Sequence, residues 1–259
     1  MDYHEHIALR AALDWQIEAG VLDAIGEDPV DRYAVAPPAS RPKTPARAEE
    51  GSAAPAPVAP VRTDPVEEAT RSAEAAQDLA GLRAALAAFD HCDLKRGARN
   101  LVFSDGTPGA RVMIVSEAPG RDEDRVGKPF VGRAGHLLDR MLAAIDLSRD
   151  KSVYITNVLP WRPPQNRDPK PEEIAMMRPF VARHVALAKP DVLILMGNIS
   201  CDAGLGRRGI TRLRGNWAEA YGKPALPMFH PDYLLRQPAM KREAWADLLT
   251  LKARLEGLE

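Results

Sequence analysis

The sequence predicts an α/β fold in three layers, with helices on both faces of a central, mostly parallel sheet of four strands. Two observations predict it. Four short apolar runs alternate with stretches of helical periodicity, the pattern of strand–crossover–strand units. The runs are apolar at nearly every position rather than every second one, as strands covered on both faces require.

The first strand is expected at residues 111–116, the second at 152–157, the third at 191–196 and the fourth at 225–230. The first three are rich in Val and Ile, whose branched side chains suit a pleated surface. After the first strand, Leu137, Leu138, Met141, Leu142 and Ile145 fall on one helical face. After the second, Ile174, Met177, Val181 and Val185 form another, opening at Pro171-Glu172-Glu173, with Pro179 expected to kink it. A last helix is expected at residues 241–255. Ahead of this body, residues 3–27 carry Leu9, Ala12, Leu13 and Ile17 at helical spacing. Residues 34–65 hold 8 Pro and 9 Ala in 32 positions and no aromatic residue, a composition that cannot offset its ordering entropy and suits a semi-extended linker. The expected layout is a helical appendage at 1–33, a linker at 34–66 and a globular domain at 67–259.

Charge divides the same way. Residues 1–70 hold 6 Lys/Arg against 13 Asp/Glu, and the remainder holds 29 against 23. Chance segregation explains this, or a basic body built for a polyanion does. Cys92 and Cys201 are too few for a disulfide framework. The first residues lack a cationic segment before an apolar stretch, and no apolar run is long enough to span a bilayer. A cytoplasmic monomer is the expectation.

Ligands of open parallel sheets bind beyond the carboxyl ends of the strands. Those ends carry Ser116-Glu117-Ala118-Pro119-Gly120, then Asn157, then Gly197-Asn198, then His230-Pro231. Each alone suits an ordinary turn; together a carboxylate, an amide and an imidazole suit a site. The stretch from Glu117 to Gly135 holds four glycines and leads into a helix. It fits a phosphate cradle or a glycine-supported loop, and matches neither the P-loop nor the dinucleotide fingerprint. Phe130 within it is either core or a platform for a planar ligand. Arg207, Arg208, Arg212 and Arg214 cluster, and Leu234-Leu235-Arg236 follow His230. They form a solvated face over a leucine core, or basic groups flanking an apolar wedge for a duplex. The six histidines lack metal-ligand spacing, and neither Ser116 nor Cys201 sits in a nucleophile elbow.

Five ordered motifs carry a resemblance: residues 116–124 (SEAPGRDED), 127–135 (GKPFVGRAG), 155–158 (ITNV), 162–168 (RPPQNRD) and 230–236 (HPDYLLR). Together they resemble the uracil-DNA glycosylase superfamily, nearest to its iron–sulfur family 4, over roughly residues 80–256. The resemblance implies a monofunctional glycosylase of base excision repair, acting on uracil-containing DNA. It implies that Phe130 stacks on a flipped base beside Ala118, that Asn157 reads its edge and that His230 stabilises the leaving anion. Glu117 and Glu123 would place water or hold the pocket loop. Arg207, Arg212, Arg214, Leu234, Leu235 and Arg236 would meet the DNA.

Two departures stand out. Ser116 occupies a position that is usually Gly in the family. The four cluster cysteines align with Phe89, Cys92, Trp161 and Met177, and a single thiolate cannot hold a [4Fe–4S] centre. The expectation is no cofactor, and apolar packing in the cluster's place. A non-turnover relative that only binds uracil-containing DNA is the alternative; the absence of His from residues 158–167 argues against covalent capture.

Overall fold

The computed structural model describes residues 64–257, all within the compact unit spanning Val58–Glu259. The expected helical segment at 3–27 and most of the linker at 34–66 lie outside the described residues. The last two linker positions, Pro65 and Val66, already belong to the first helix, and Asp64 caps it. In α1 (Pro65–Ala75) Pro65 occupies the first turn, where a missing N–H leaves no bond unmade, and the Asp64 side chain accepts from Val66 N at 2.9 Å. Asp78 caps α2 (Leu79–Ala88) in the same way, accepting from Gly81 N at 2.7 Å.

After a single turn, α3 (Leu94–Gly97), the chain alternates. It forms β1 (Ser104–Gly106), β2 (Val112–Ser116), α4 (Arg121–Val126), α5 (Arg133–Ala143) and β3 (Val153–Asn157). There follow α6 (Pro171–Ala188), β4 (Val192–Met196), α7 (Asn198–Leu205) and α8 (Ile210–Leu213). The chain finishes with β5 (Ala218–Ala220), β6 (Lys223–Met228), α9 (Pro231–Arg236) and α10 (Lys241–Glu256). Pro179 lies inside α6, which runs unbroken through the expected kink site.

The sheet order is β1-β3-β2-β4-β6-β5. The four expected strands form its parallel centre, β3-β2-β4-β6, while β1 and β5 pair antiparallel at the edges. The sheet therefore has six strands rather than four. The two additions, Ser104-Asp105-Gly106 and Ala218-Glu219-Ala220, are too short to show an apolar run. Every residue of β2, β3 and β4 is buried, which requires cover on both faces. One set of helices joins α6 to α1, α2 and α7, and another joins α5 to α9. The chain leaves β2 for β3 on one side and returns past it to β4 on the other. This reversal opens a crevice at the strands' carboxyl ends.

Under α6 lies a buried polar cluster. Thr156 Oγ1 donates to Phe103 O at 2.8 Å, so it accepts from His184 Nδ1 at 3.4 Å, and His184 Nε2 accepts from Tyr154 Oη at 2.9 Å. Phe103 stacks on the imidazole at 4.5 Å. Burial pushes the His184 pKa from 6.5 down to about 3. Between those values the unfolded chain binds a proton that the folded one refuses, so stability falls as the pH drops through that window. The loss attributable to this residue is up to about 3 kcal/mol at pH 4. Thermal melting from pH 7 to 4 should show a steeper decline for the wild type than for His184→Gln; equal slopes would refute the assignment.

Candidate active site

The register of the sheet sets the site. Ser116 pairs with Asn157 across β2 and β3, and Met196 pairs with Met228 across β4 and β6, so the residues that follow emerge at one edge. There they line a cleft of about 870 Å³. Its walls include Ser116, Glu117, Ala118, Phe130, Asn157 and His230. Val158 N and Leu159 N extend the β2–β3 ladder onto Ser116 O and Glu117 O, which fixes the start of the pocket loop.

His230 caps α9: its Nδ1 accepts from Asp232 N at 3.1 Å, and its Nε2 lies 3.1 Å from Ser116 Oγ. Because Nδ1 is an acceptor, the proton of the neutral ring sits on Nε2. Burial pushes the imidazole pKa below 6.5, more strongly than the Glu117 and Asp232 carboxylates raise it. The ring is therefore neutral at pH 7 and turns an N–H donor into the cleft. Phe130 stacks near it, with ring centroids 5.4 Å apart and planes at 25°.

Phe130 holds a left-handed backbone at φ 53°, which costs a β-carbon-bearing residue roughly 1–2 kcal/mol. Three contacts impose it. Arg149 Nη2 donates to Phe130 O at 3.1 Å, and its guanidinium is itself anchored on Asp105 and Asp139. Glu123 Oε1 accepts from both Val131 N and Gly132 N at 3.0 Å, so the Glu123 carboxylate braces the loop. Gly135 backs directly on Phe130 O, where a β-carbon would lie at 1.8 Å.

Glu117 is held differently. Its Oε1 accepts from Ile199 N, at the start of α7, at 3.0 Å. Gly197, at φ +95°, passes so close that a β-carbon would lie 2.2 Å from that oxygen. The Asn157 amide is largely buried, faces the cleft and hydrogen-bonds to no described residue. Its orientation is left to whatever binds. Cys201 is no nucleophile, since burial, assisted by Glu117, pushes its thiol up to about 12.

The expected DNA-facing set divides. Arg207 and Arg212 are exposed, Leu235 is half-buried, and the exposed Arg236 reaches Asp232 at 3.4 Å. Leu234 is only 1% exposed and packs in the core, so it is not the wedge. Arg214 is not free for phosphate: it pairs with buried Asp247 and with Glu243, and lies 5.6 Å over the Phe229 ring. Leaving Asp247 buried and unpaired would be costly. Two exposed arginines on the cleft, Arg121 and Arg133, were not expected; they enter the wall on the first turns of α4 and α5. Neither belongs to a run of basic residues, the one signal the sequence offers for such a role.

A family model described as the uracil DNA glycosylase superfamily matches residues 103–249. The chain belongs to that superfamily. Among its relatives, the type-4 uracil-DNA glycosylase of Archaeoglobus fulgidus is 39% identical over 60% of this chain and 82% of its own. That of Thermotoga maritima is 40% identical over 56% of this chain and 77% of its own. The Pyrobaculum aerophilum enzyme is 35% identical over 66% and 91%.

Of the four positions that the resemblance makes candidates for cluster ligands, only Cys92 carries a thiol. Phe89, Cys92, Trp161 and Met177 are all buried, and Phe89 meets Phe180 edge-on at 5.3 Å. Burial raises the Cys92 thiol pKa, which keeps it protonated. Among the described residues, no group of three or more His, Cys, Asp or Glu is placed to hold a metal ion. No described helix is long and apolar enough to cross a membrane.

Proposed function

We propose that the protein is a monofunctional uracil-DNA glycosylase that flips uracil out of DNA and hydrolyses its N-glycosidic bond in base excision repair. The observation that carries this reading is the meeting of the Phe130 ring, the Asn157 amide and the neutral His230 imidazole in one cleft. Phe130 stacks on the extruded base. Asn157 accepts from uracil N3–H and donates to O4; cytosine presents the opposite pair, which only the flipped amide would meet.

Bond cleavage leaves oxocarbenium character on the sugar and negative charge on uracil. His230 Nε2–H donates to O2 as that charge develops; one such preorganised donor is worth about 3 kcal/mol. Glu117, with one oxygen committed to Ile199 N, offers its other oxygen to the attacking water. Glu123 and Arg149 hold the stacking loop. Arg207, Arg212 and Arg236, with Arg121 and Arg133, meet phosphates, and Leu235 replaces Leu234 as the apolar group at the gap. The protein acts as a monomer whose catalytic domain takes in α1 (Pro65–Ala75) and the described residues that follow it.

A duplex carrying one U tests the reading. Conversion to an alkali-labile abasic site supports the enzyme, a retarded but uncleaved duplex supports the non-turnover binder, and neither outcome would sink both. We further propose that the iron–sulfur centre is absent, because three of the four aligned positions lack a thiolate. The purified protein should be colourless, with well under one iron per chain. A brown preparation with stoichiometric iron would overturn this.

A further inference from the structure

A buried hydroxyl shares the cleft with His230. Ser116 is 1% exposed, ends β2 and lines the cleft, and its Oγ lies 3.1 Å from His230 Nε2. The direction of that hydrogen bond follows from the other side of the ring. Asp232 N–H points at Nδ1, so Nδ1 carries no proton and Nε2–H is the donor. Ser116 Oγ is then the acceptor, and its own O–H proton has no acceptor among the described residues. A buried hydroxyl proton left unpaired is unfavourable, and the open space beside this one is the cleft.

We propose that Ser116 is a further catalytic residue, whose hydroxyl donates, beside His230 Nε2–H, to the O2 atom of the departing pyrimidine. This rests on the glycosylase reading. Two donors whose heavy atoms lie 3.1 Å apart can meet on a single oxygen, as the paired donors of an oxyanion hole do. The His230 proton that Ser116 accepts in the free protein transfers its hydrogen bond to O2 once the base arrives, and the serine turns its own proton to the same atom. No proton changes owner. The charge released by C–N cleavage is spread over two hydrogen bonds instead of one.

The role predicts dependence on the leaving group. Uracil is a poorer leaving group than 5-fluorouracil, whose ring fluorine stabilises the anion, so help at O2 matters more for uracil. Single-turnover excision should be measured from duplexes carrying one or the other, with wild type, Ser116→Ala and Ser116→Cys. The cysteine variant keeps the side chain's shape and replaces a strong donor with a weak one. Both variants are expected to lose roughly 10- to 100-fold on uracil and no more than about threefold on 5-fluorouracil, with duplex affinity unchanged.

Equal losses on the two bases in either variant, or a loss confined to affinity, would assign Ser116 to packing and overturn the proposal. Wild-type protein that releases neither base would overturn the glycosylase reading along with it. Wild-type protein that releases both, with variants that match it, would overturn this proposal alone.

Discussion

His230→Ala is expected to lower single-turnover uracil excision by about a hundred- to a thousandfold while leaving most affinity for uracil-containing duplex. The imidazole is held at both nitrogens, by Asp232 N and by Ser116 Oγ, so its N–H arrives in the cleft already oriented. Burial keeps the ring neutral, and a neutral donor stabilises an anion without first surrendering charge of its own. The substitution removes that donor but none of the exposed arginines, which is why rate and affinity should separate. The variant also loses the side-chain cap of α9, a cost of about 1 kcal/mol that lowers stability without touching the chemistry. Excision within a factor of three of wild type would show that the ring does not act on the leaving group.

The second large effect is expected at Asn157. Asn157→Asp keeps the acceptor for uracil N3–H and replaces the donor to O4 with a carboxylate oxygen. A partner left facing a like group in a largely buried site costs several powers of ten in discrimination. Uracil excision should fall by roughly a thousandfold or more. The melting temperature should fall as well, because a largely buried carboxylate with no partner replaces a neutral amide, so the excision loss is read under conditions where the variant stays folded. Excision within tenfold of wild type would show that this side chain does not read the base.

Much of this site was legible in the sequence because strand ends are legible. Continuous apolar runs located β2, β3 and β4, and their ends delivered Ser116, Asn157 and the approach to α7. The edge strands were not legible, since three residues without an apolar run become a strand only by pairing with a neighbour. Partnership is the general limit. Arg214 looked like its neighbours in a basic cluster, yet it faces Asp247, 33 residues onward. Leu234 and Leu235 are indistinguishable as letters; the turn of a six-residue helix buries one and leaves the other half-covered. Arg149 belongs to no motif, and its value lies in reaching Asp105, Asp139 and Phe130 at once. The tautomer of His230 follows from a backbone amide two positions away, visible only once α9 is formed.

The left-handed twist at Phe130 means that the aromatic wall is spring-loaded. Left alone, those peptide units would relax toward ordinary angles and carry the ring away. A guanidinium, a carboxylate and a glycine keep the spring compressed. Injury to any of these fasteners would thus surface as blunted base recognition long before it surfaced as unfolding.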